Sequence, residues 1–201
     1  DGGKTWERSP YLTVTDTHVL KGKLPSTDGA EGERRVQVGL IQPSIWASSD
    51  TDVHVLCRSN GGAIYRSDSA DGGRTWSPAV RTAMPNNNSG IDVCRLTGSG
   101  RLVMCHNPTG TNWGARTPLR LSVSEDNGHT WPIGFDIETT PDSEFSYPAC
   151  IATPSGDGVC VTYTWNRVRM KCVWISEEEL LRRAVPTAPE ENETQPDQPK
   201  L

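Results

Sequence analysis

The sequence predicts an all-β fold built from four-stranded antiparallel sheets. Three observations support this prediction: a repeated turn motif, many short strand-like segments, and a composition suited to turns. Among its 201 residues the chain has 19 Gly, 15 Pro and 7 Trp, while 34% of the residues are hydrophobic. Because Gly and Pro mark turns, this composition favours many short strands over long helices.

The repeated motif has the pattern Ser-x-Asp-x-Gly-x-Thr-Trp. It occupies residues 69–76 and 124–131, and residues 1–6 supply its last six positions a third time. Asp and Gly favour a tight turn, in which the Asp side chain accepts hydrogen bonds from nearby backbone donors. The Trp is expected to cover the hairpin beneath, which predicts equivalent buried environments for Trp76 and Trp131. A motif that recurs in this way indicates a repeat architecture.

The segments between the motifs group into antiparallel meanders of short strands. The predicted strands are residues 41–48, 52–59, 63–69 and 77–82, then 90–97, 101–107, 118–124 and 133–140, then 145–153, 158–165 and 169–176. The first two groups are four-stranded units with the motif between the third and fourth strands, whereas the last group lacks both the motif and a fourth strand.

The remaining segments complete the predicted organisation. Residues 6–14 are predicted to be the outer strand of an earlier sheet, and residues 15–37 a polar surface loop. A Ser-Glu-Glu-Glu capping box predicts the helix Glu177–Arg183. Residues 1–184 therefore form one β domain, and residues 185–201, rich in Pro, Glu and Gln, are predicted to be a disordered tail.

Charge and cysteine content exclude several classes of function. The formal net charge of −5 argues against a nucleic-acid partner, and the chain has no stretch of 18 apolar residues that could span a membrane. The six cysteines lie in strand-like runs without metal-ligand spacing. We expect buried free thiols and no metal site, although a disulfide remains an alternative.

Alternation of turns in a meander places the repeated motifs at one end of the strands and the unusual side chains at the other. The candidate catalytic residues there are Tyr147, Glu144 and Asp92. The candidate substrate-binding residues are Arg116, Arg58, Arg167, Asn88, His106, Gln42 and Trp165. Each also has a structural alternative: Asn residues form turns, Arg residues pair with internal carboxylates, and Tyr, His or Trp pack in a core.

The repeated motif is the Asp box, and the chain resembles the sialidase-like β-propellers that carry this BNR repeat. The resemblance implies a β-propeller of four-stranded antiparallel blades, with about three of six blades in this chain, a probable fragment. Residues 145–150, 158–165 and 169–180 resemble the last blade of a sialidase. That likeness implies that Tyr147 is the nucleophile and that Arg116 is one of three carboxylate-binding arginines. The family's Tyr-activating Glu and second Arg correspond here to Asp92 and His106.

The resemblance implies a sialidase-like glycoside hydrolase of the exo-alpha-sialidase type, acting on an acidic-sugar glycan without a cofactor. A Tyr nucleophile needs a base, for which Glu144 or Asp92 could serve. The family's acid/base Asp and first binding Arg belong to early blades that the chain does not contain, so residues 1–201 alone are expected to be inactive. Two alternatives stay open: a polysaccharide lyase for uronate-containing glycans, using Tyr147 or His106 as base, and a noncatalytic glycan-binding or interaction propeller.

Overall fold

The computed structural model describes residues 2–23 and 31–187, which form four antiparallel sheets and one short helix. We call three of them the first, second and third sheets. The first contains β3 (Leu40–Ala47), β4 (Val53–Ser59), β5 (Ala63–Ser69) and β6 (Val80–Pro85). The second contains β7 (Asp92–Arg95), β8 (Leu102–His106), β9 (Leu119–Ser124) and β10 (Ile133–Glu138). The third contains β11 (Phe145–Ala152), β12 (Gly158–Trp165) and β13 (Arg169–Ser176).

These sheets follow the predicted meanders closely. Within each sheet, strands that are consecutive along the chain are hydrogen-bonded neighbours, and each Asp box joins the third strand to the fourth. In the described residues the third sheet has three strands. Helix α1 (Glu177–Arg183) is also as predicted: the Ser176 hydroxyl caps it by accepting a hydrogen bond from the Glu179 amide at 3.2 Å.

The core lies between successive sheets, whose first strands contact each other. Trp46 and Leu56 of the first sheet pack with Met104 of the second. Leu121 of the second sheet packs with Tyr163 of the third, in a cluster that also holds Leu180 of α1. Strand β7 contacts both β3 and β11. The three sheets therefore stack around their first strands, and the loops at the ends of those strands come close together.

Three predictions about the chain termini and connections are wrong. Residues 6–14 form no strand and make only an isolated parallel bridge from Val14 to Ala79. Residues 15–37, predicted to be a loop, contain the antiparallel hairpin of β1 (Thr17–Lys23) and β2 (Glu31–Gln37), because backbone pairing does not need an apolar face. Residues 185–186, predicted to belong to a disordered tail, form β14 (Val185–Pro186) beside β10. The rest of that prediction, residues 188–201, lies outside the described residues.

The Asp boxes have the predicted turn geometry. The Asp71 carboxylate accepts hydrogen bonds from the Thr75 amide at 2.8 Å and the Thr75 hydroxyl at 2.6 Å, and Asp126 accepts the same pair from Thr130. The predicted equivalence of the two Trp residues is wrong, however. Trp131 is buried in the core, whereas Trp76 is only partly buried. The two boxes share their turn but not their packing environment.

Candidate functional site

Seven polar and aromatic side chains meet at the end of the strands opposite the Asp boxes. We call this set the arginine–tyrosine cluster; it consists of Gln42, Arg58, Asn88, Arg116, Glu144, Tyr147 and Arg167. Hydrogen bonds join Arg58 to Gln42 and Asn88, and hydrogen bonds, ion pairs and a ring contact join the other four residues. The two groups are close enough for Arg58 to interact electrostatically with Arg116 and Tyr147. All seven are candidates from the sequence. The other three candidates, Asp92, His106 and Trp165, make their contacts elsewhere.

Two β-bulges direct cluster side chains into the site. The register of β3 shifts between Ile41 and Pro43, and that of β11 shifts between Ser146 and Ala149. The bulged residues Gln42 and Tyr147 have φ angles of 47° and 50°, in the left-handed region that non-glycine residues seldom occupy. Bulges re-aim side chains, and strained backbone of this kind is concentrated at functional sites. A sequence pattern of alternating residues does not reveal such a shift.

Gly90 lies between these two bulges. A Cβ atom at this position would be 3.5 Å from both the Gln42 Oε1 atom and the Tyr147 Cα atom. Both distances are ordinary van der Waals contacts, so this residue lies against both bulged residues and a methyl group would also fit there.

Arg58 is a buried guanidinium whose side-chain partners are neutral. It is 8% exposed, and it donates hydrogen bonds to the Asn88 Oδ1 atom at 3.2 Å and to the Gln42 Oε1 atom. Among residues 2–17 and 35–187, whose side chains the structure describes, no carboxylate lies within ion-pair distance of it. Burial, and then the charge of Arg116, lower the pKa of Arg58, while Tyr147 raises it. This corner of the site therefore carries an excess of positive charge.

Glu144 is the carboxylate that organises the other two arginines. It accepts hydrogen bonds from Arg116 Nη1 at 3.2 Å, from Arg167 Nε at 2.9 Å and from the Ser146 hydroxyl at 2.9 Å. These contacts lower the pKa of Glu144, first through its hydrogen bond with Arg167. The Glu144 amide donates to the Asn166 Oδ1 atom at 2.7 Å, which fixes the turn that carries Arg167. The positioning roles of Ser146 and Asn166 were not predicted.

Tyr147 is open to solvent beside these cations. Tyr147 is 43% exposed, and the Arg116 guanidinium carbon lies 5.3 Å from the centroid of its ring. The interaction with Arg116 is the main cause that lowers the pKa of the Tyr147 hydroxyl, and Arg167 and Arg58 contribute as well. The cluster can therefore stabilise a phenolate or hold an anionic ligand next to the phenol.

Asp92 connects all three sheets. One carboxylate oxygen accepts a hydrogen bond from the Ser44 hydroxyl of β3 at 2.7 Å, and the other accepts one from the Cys150 amide of β11 at 2.7 Å. The Ser44 hydroxyl in turn accepts a bond from the Val93 amide. Both carboxylate oxygens thus have structural partners, and among the described residues Asp92 has no hydrogen bond with Tyr147.

His106 and Trp165 face the interior of the sheets. His106 is fully buried, with Nε2 2.9 Å from the Ser122 hydroxyl, and burial lowers its pKa to about 3. The Trp165 ring packs against the core between the second and third sheets, beneath the cations of Arg169 and Lys171. Neither side chain joins the arginine–tyrosine cluster.

A second polar network, at the Asp-box end of the strands, holds the first two sheets together. His54 Nδ1 lies 2.6 Å from Asp68, and its Nε2 lies 2.7 Å from the Ser48 hydroxyl and 3.0 Å from Asn127 Nδ2. The Asn127 Oδ1 atom accepts a hydrogen bond from the Trp46 indole, so the Asn127 Nδ2 atom donates to His54. Nδ1–H therefore donates to Asp68, and the ring ties the first sheet to the second Asp box.

A cavity of about 680 Å³ lies beside β6 and the second Asp box, where Met84, Pro108 and Trp131 line it, and no cluster residue does. Among the residues that the structure describes, no group of three His, Cys, Asp or Glu side chains could hold a metal ion. No described helix is long and apolar enough to cross a membrane.

The chain belongs to the BNR repeat-like domain family, which matches residues 1–159. Its fold is all-β, with antiparallel sheets that resemble those of sialidase propellers. A comparison with curated protein sequences gives no match.

Three similar solved structures are sialidases. The NanB sialidase of Streptococcus pneumoniae has a TM-score of 0.60 at 14% identity, over 85% of this chain and 28% of that protein. The intramolecular trans-sialidase of Ruminococcus gnavus has a TM-score of 0.53 at 18% identity, over 76% and 37%. The Trypanosoma rangeli sialidase has a TM-score of 0.53 at 16% identity, over 83% and 28%. The chain therefore spans about a quarter to a third of their lengths, and the likeness shows the fold.

Proposed function

We propose that the chain supplies the carboxylate-binding and nucleophilic part of a sialidase-like glycoside hydrolase that acts on an acidic-sugar glycan. One observation carries this proposal: Arg58 is buried without a carboxylate partner among the described residues, next to Arg116 and Tyr147. The family membership and the sialidase neighbours support the same class of protein.

The charge distribution points to an anionic ligand. A buried cation costs free energy unless it is paired, and two neighbouring arginines add repulsion. Glu144 balances Arg116 and Arg167 but makes no ion pair with Arg58. A ligand carboxylate would pair with Arg58 and Arg116 through charge-assisted hydrogen bonds, which are stronger than neutral ones and can be bidentate. The sugar is then oriented by its carboxylate.

In this proposal Tyr147 is the nucleophile. Its oxygen attacks the anomeric carbon, which lies beside the ligand carboxylate, and a neutral phenol avoids the repulsion that a carboxylate nucleophile would meet. The neighbouring guanidinium groups favour loss of the hydroxyl proton, which passes to solvent because Tyr147 is exposed. Glu144, held ionised by Arg167, acts by positioning the arginines and is a weak base.

The acid that protonates the leaving group is a separate requirement. Glu144 is held ionised by arginines, and both oxygens of Asp92 accept structural hydrogen bonds. We therefore assign this acid to neither of them. In this arrangement the three described sheets are consecutive blades of a six-bladed ring, and the 201-residue chain binds the acidic sugar without hydrolysing a natural glycoside.

Calorimetric titration of the 201-residue chain tests the carboxylate site. We expect N-acetylneuraminic acid to bind about tenfold or more tightly than its carboxyl methyl ester, because the ester loses the charge-assisted hydrogen bonds. Arg58→Gln is expected to abolish this preference. Arg169→Gln, a change beside Trp165 and outside the cluster, is a matched control and should retain it. Equal affinity for the acid and the ester would contradict the proposal.

A mechanism-based probe tests the nucleophile without the missing acid. The Trypanosoma rangeli sialidase forms a covalent intermediate with 2,3-difluorosialic acid. With this probe the Tyr147 oxygen forms a bond to the anomeric carbon, the carbon–fluorine bond breaks, fluoride leaves, and the phenol proton passes to solvent. We expect mass spectrometry to map the adduct to Tyr147 and to find none in Tyr147→Phe.

The alternatives are outcomes of the same experiments. Binding of the acid without an adduct would favour a noncatalytic glycan-binding domain. Release of an unsaturated product from a uronate polymer would favour a lyase. The burial of His106 and its low pKa give no support to its use as the base of a lyase, since a substrate cannot reach it.

A further inference from the structure

Two thiols lie side by side on β12, the central strand of the third sheet, and β13, one of its edge strands. Cys160 of β12 and Cys172 of β13 have Sγ atoms 3.4 Å apart. The strands are antiparallel, with Cys160 opposite Trp174 and Thr162 opposite Cys172, so the two thiols are diagonal neighbours on one face. Cys172 is exposed and Cys160 is half-buried.

The other four cysteines are different. Cys57, Cys94, Cys105 and Cys150 are buried, and burial raises the pKa of the Cys57 thiol to about 11. The expectation that all six cysteines would be buried is therefore wrong for Cys160 and Cys172. Strand β13 is the outer strand of the described sheet, so no neighbour covers this pair from that side. A reagent in solution can reach these two thiols selectively.

The pair also stands at the base of a hairpin that supports the arginine–tyrosine cluster. The turn between β12 and β13 carries Asn166 and Arg167, both with positive φ angles. Asn166 accepts a hydrogen bond from the Glu144 amide, and Arg167 donates to the Glu144 carboxylate. A covalent link between residues 160 and 172 would enclose this turn.

We propose that Cys160 and Cys172 form a modification site that reacts with small-molecule disulfides and closes into a cross-strand disulfide. A disulfide needs an Sγ–Sγ distance of about 2.05 Å and a Cα–Cα distance of about 4.4–6.8 Å. Diagonal neighbours on antiparallel strands lie about 7–8 Å apart, so closing the bond requires a small shift of the β12–β13 backbone as well as rotation of the two side chains. This proposal does not depend on the function proposed above.

The reaction proceeds by two exchanges. The Cys172 thiolate attacks one sulfur of the small disulfide, forms a mixed disulfide and releases one small thiolate. Cys160 then loses its proton to solvent and attacks the Cys172 sulfur, which releases the second small thiolate. The protein loses two hydrogens and the reagent becomes two thiols. Cys172 is the first nucleophile because it is the more exposed, and its hydrogen bond with Cys160 raises the pKa of the Cys160 thiol.

The test is peptide mapping of the folded 201-residue chain after incubation with glutathione disulfide. We expect a Cys160–Cys172 linked peptide, the loss of two free thiols, and a mass decrease of two hydrogen atoms. Because the link closes a short loop in the unfolded chain, we also expect Tm to rise by about 5–10 °C and to return when a dithiol reductant is added.

Matched variants separate the two steps. In Cys160→Ser, glutathione should remain attached to Cys172, because the second thiol is absent. In Cys172→Ser, adducts should form much more slowly, whereas Cys57→Ala should oxidise as the original chain does. A link between other cysteines, disulfide-joined dimers, or a wild-type chain that retains glutathione on Cys172 would overturn the proposal. An unchanged Tm in the chain that carries the Cys160–Cys172 disulfide would contradict the expected stabilisation of the β12–β13 hairpin.

Discussion

The guanidinium carbon of Arg116 lies 5.3 Å from the ring centroid of Tyr147. This contact joins a residue from the loop before β9 to a bulged residue of β11, and it is the main reason why the pKa of the Tyr147 hydroxyl is lowered. The same guanidinium donates to Glu144. Arg116 therefore couples the candidate nucleophile to the carboxylate that orders the cluster.

Arg116→Gln is expected to raise the pKa of Tyr147 toward its ordinary value of about 10, because the neutral amide no longer stabilises the phenolate. The measurement is a spectrophotometric titration of the phenolate, with Tyr147→Phe used to assign the transition. Arg169→Gln, whose cation lies over Trp165, is the control and should leave the Tyr147 titration in place. If the transition does not move in Arg116→Gln, Arg116 does not control this hydroxyl.

Asp92→Asn is expected to reduce stability, because Asp92 accepts hydrogen bonds from the first and third sheets. The Asn side chain has nearly the same volume as Asp, but its amide nitrogen would face a hydrogen-bond donor. We therefore expect the free energy of unfolding to fall by about 1–3 kcal/mol. Urea unfolding at neutral pH measures the change. Asp50→Asn, an exposed change in the β3–β4 turn, should cost little. A stable Asp92→Asn chain would return Asp92 to the list of catalytic candidates.

Because His106 is buried, we expect the folded chain to lose stability as the pH falls from 7 to 5. Its pKa in the folded chain is about 3, far below the ordinary value of 6.5, because burial disfavours the charged ring. Below pH 6.5 the unfolded chain binds a proton that the folded chain does not, so stability falls until the pH reaches the folded pKa. His106→Gln should flatten this slope in urea unfolding measured at several pH values, whereas the exposed His129→Gln should not.

Because the Asp71 carboxylate in the first Asp box is hydrogen-bonded, we expect a further loss of folding stability at lower pH. Hydrogen bonds, first from the Thr75 side chain, lower the pKa of Asp71 to about 2. A depressed folded pKa stabilises the chain above the ordinary Asp pKa, and this contribution is lost as the pH falls toward 2. Removing the carboxylate in Asp71→Asn should therefore reduce the loss of stability between pH 4 and pH 2. Asp50→Asn serves as control, and an equal slope in both variants would contradict this reading.

Sequence patterns were sufficient for most elements of the three sheets and for helix α1. Strands β12 and β13 and helix α1 have the predicted bounds. The hairpin in residues 15–37 was missed because its strands lack the alternation of apolar and polar residues on which strand prediction depends. The predicted strand in residues 6–14 is wrong because strand-forming residues pair only when a neighbouring strand is present, and these residues have no such neighbour in the described structure.

The sequence predicted which residues are candidates for the site but not which of their side chains contact each other. Seven of the ten candidates do meet, and they lie at the predicted end of the strands. The sequence placed Asp92 beside Tyr147 as a possible base. In the structure its partners are Ser44, 48 residues earlier, and Cys150, 58 residues later. Such long-range hydrogen bonds depend on how the sheets stack, and no local pattern encodes them.

The sequence by itself determined the Asp-box turns, because the hydrogen bonds of their Asp71 and Asp126 side chains join residues at most four positions apart. It also determined the antiparallel meanders, since strand length and turn residues are local properties. Only the tertiary structure decided which side chains surround Tyr147. Bulges at Gln42 and Tyr147 shift the register, and stacking of β3, β7 and β11 brings distant loops together. Each depends on packing between segments far apart in the chain, where small shifts change which side chains meet.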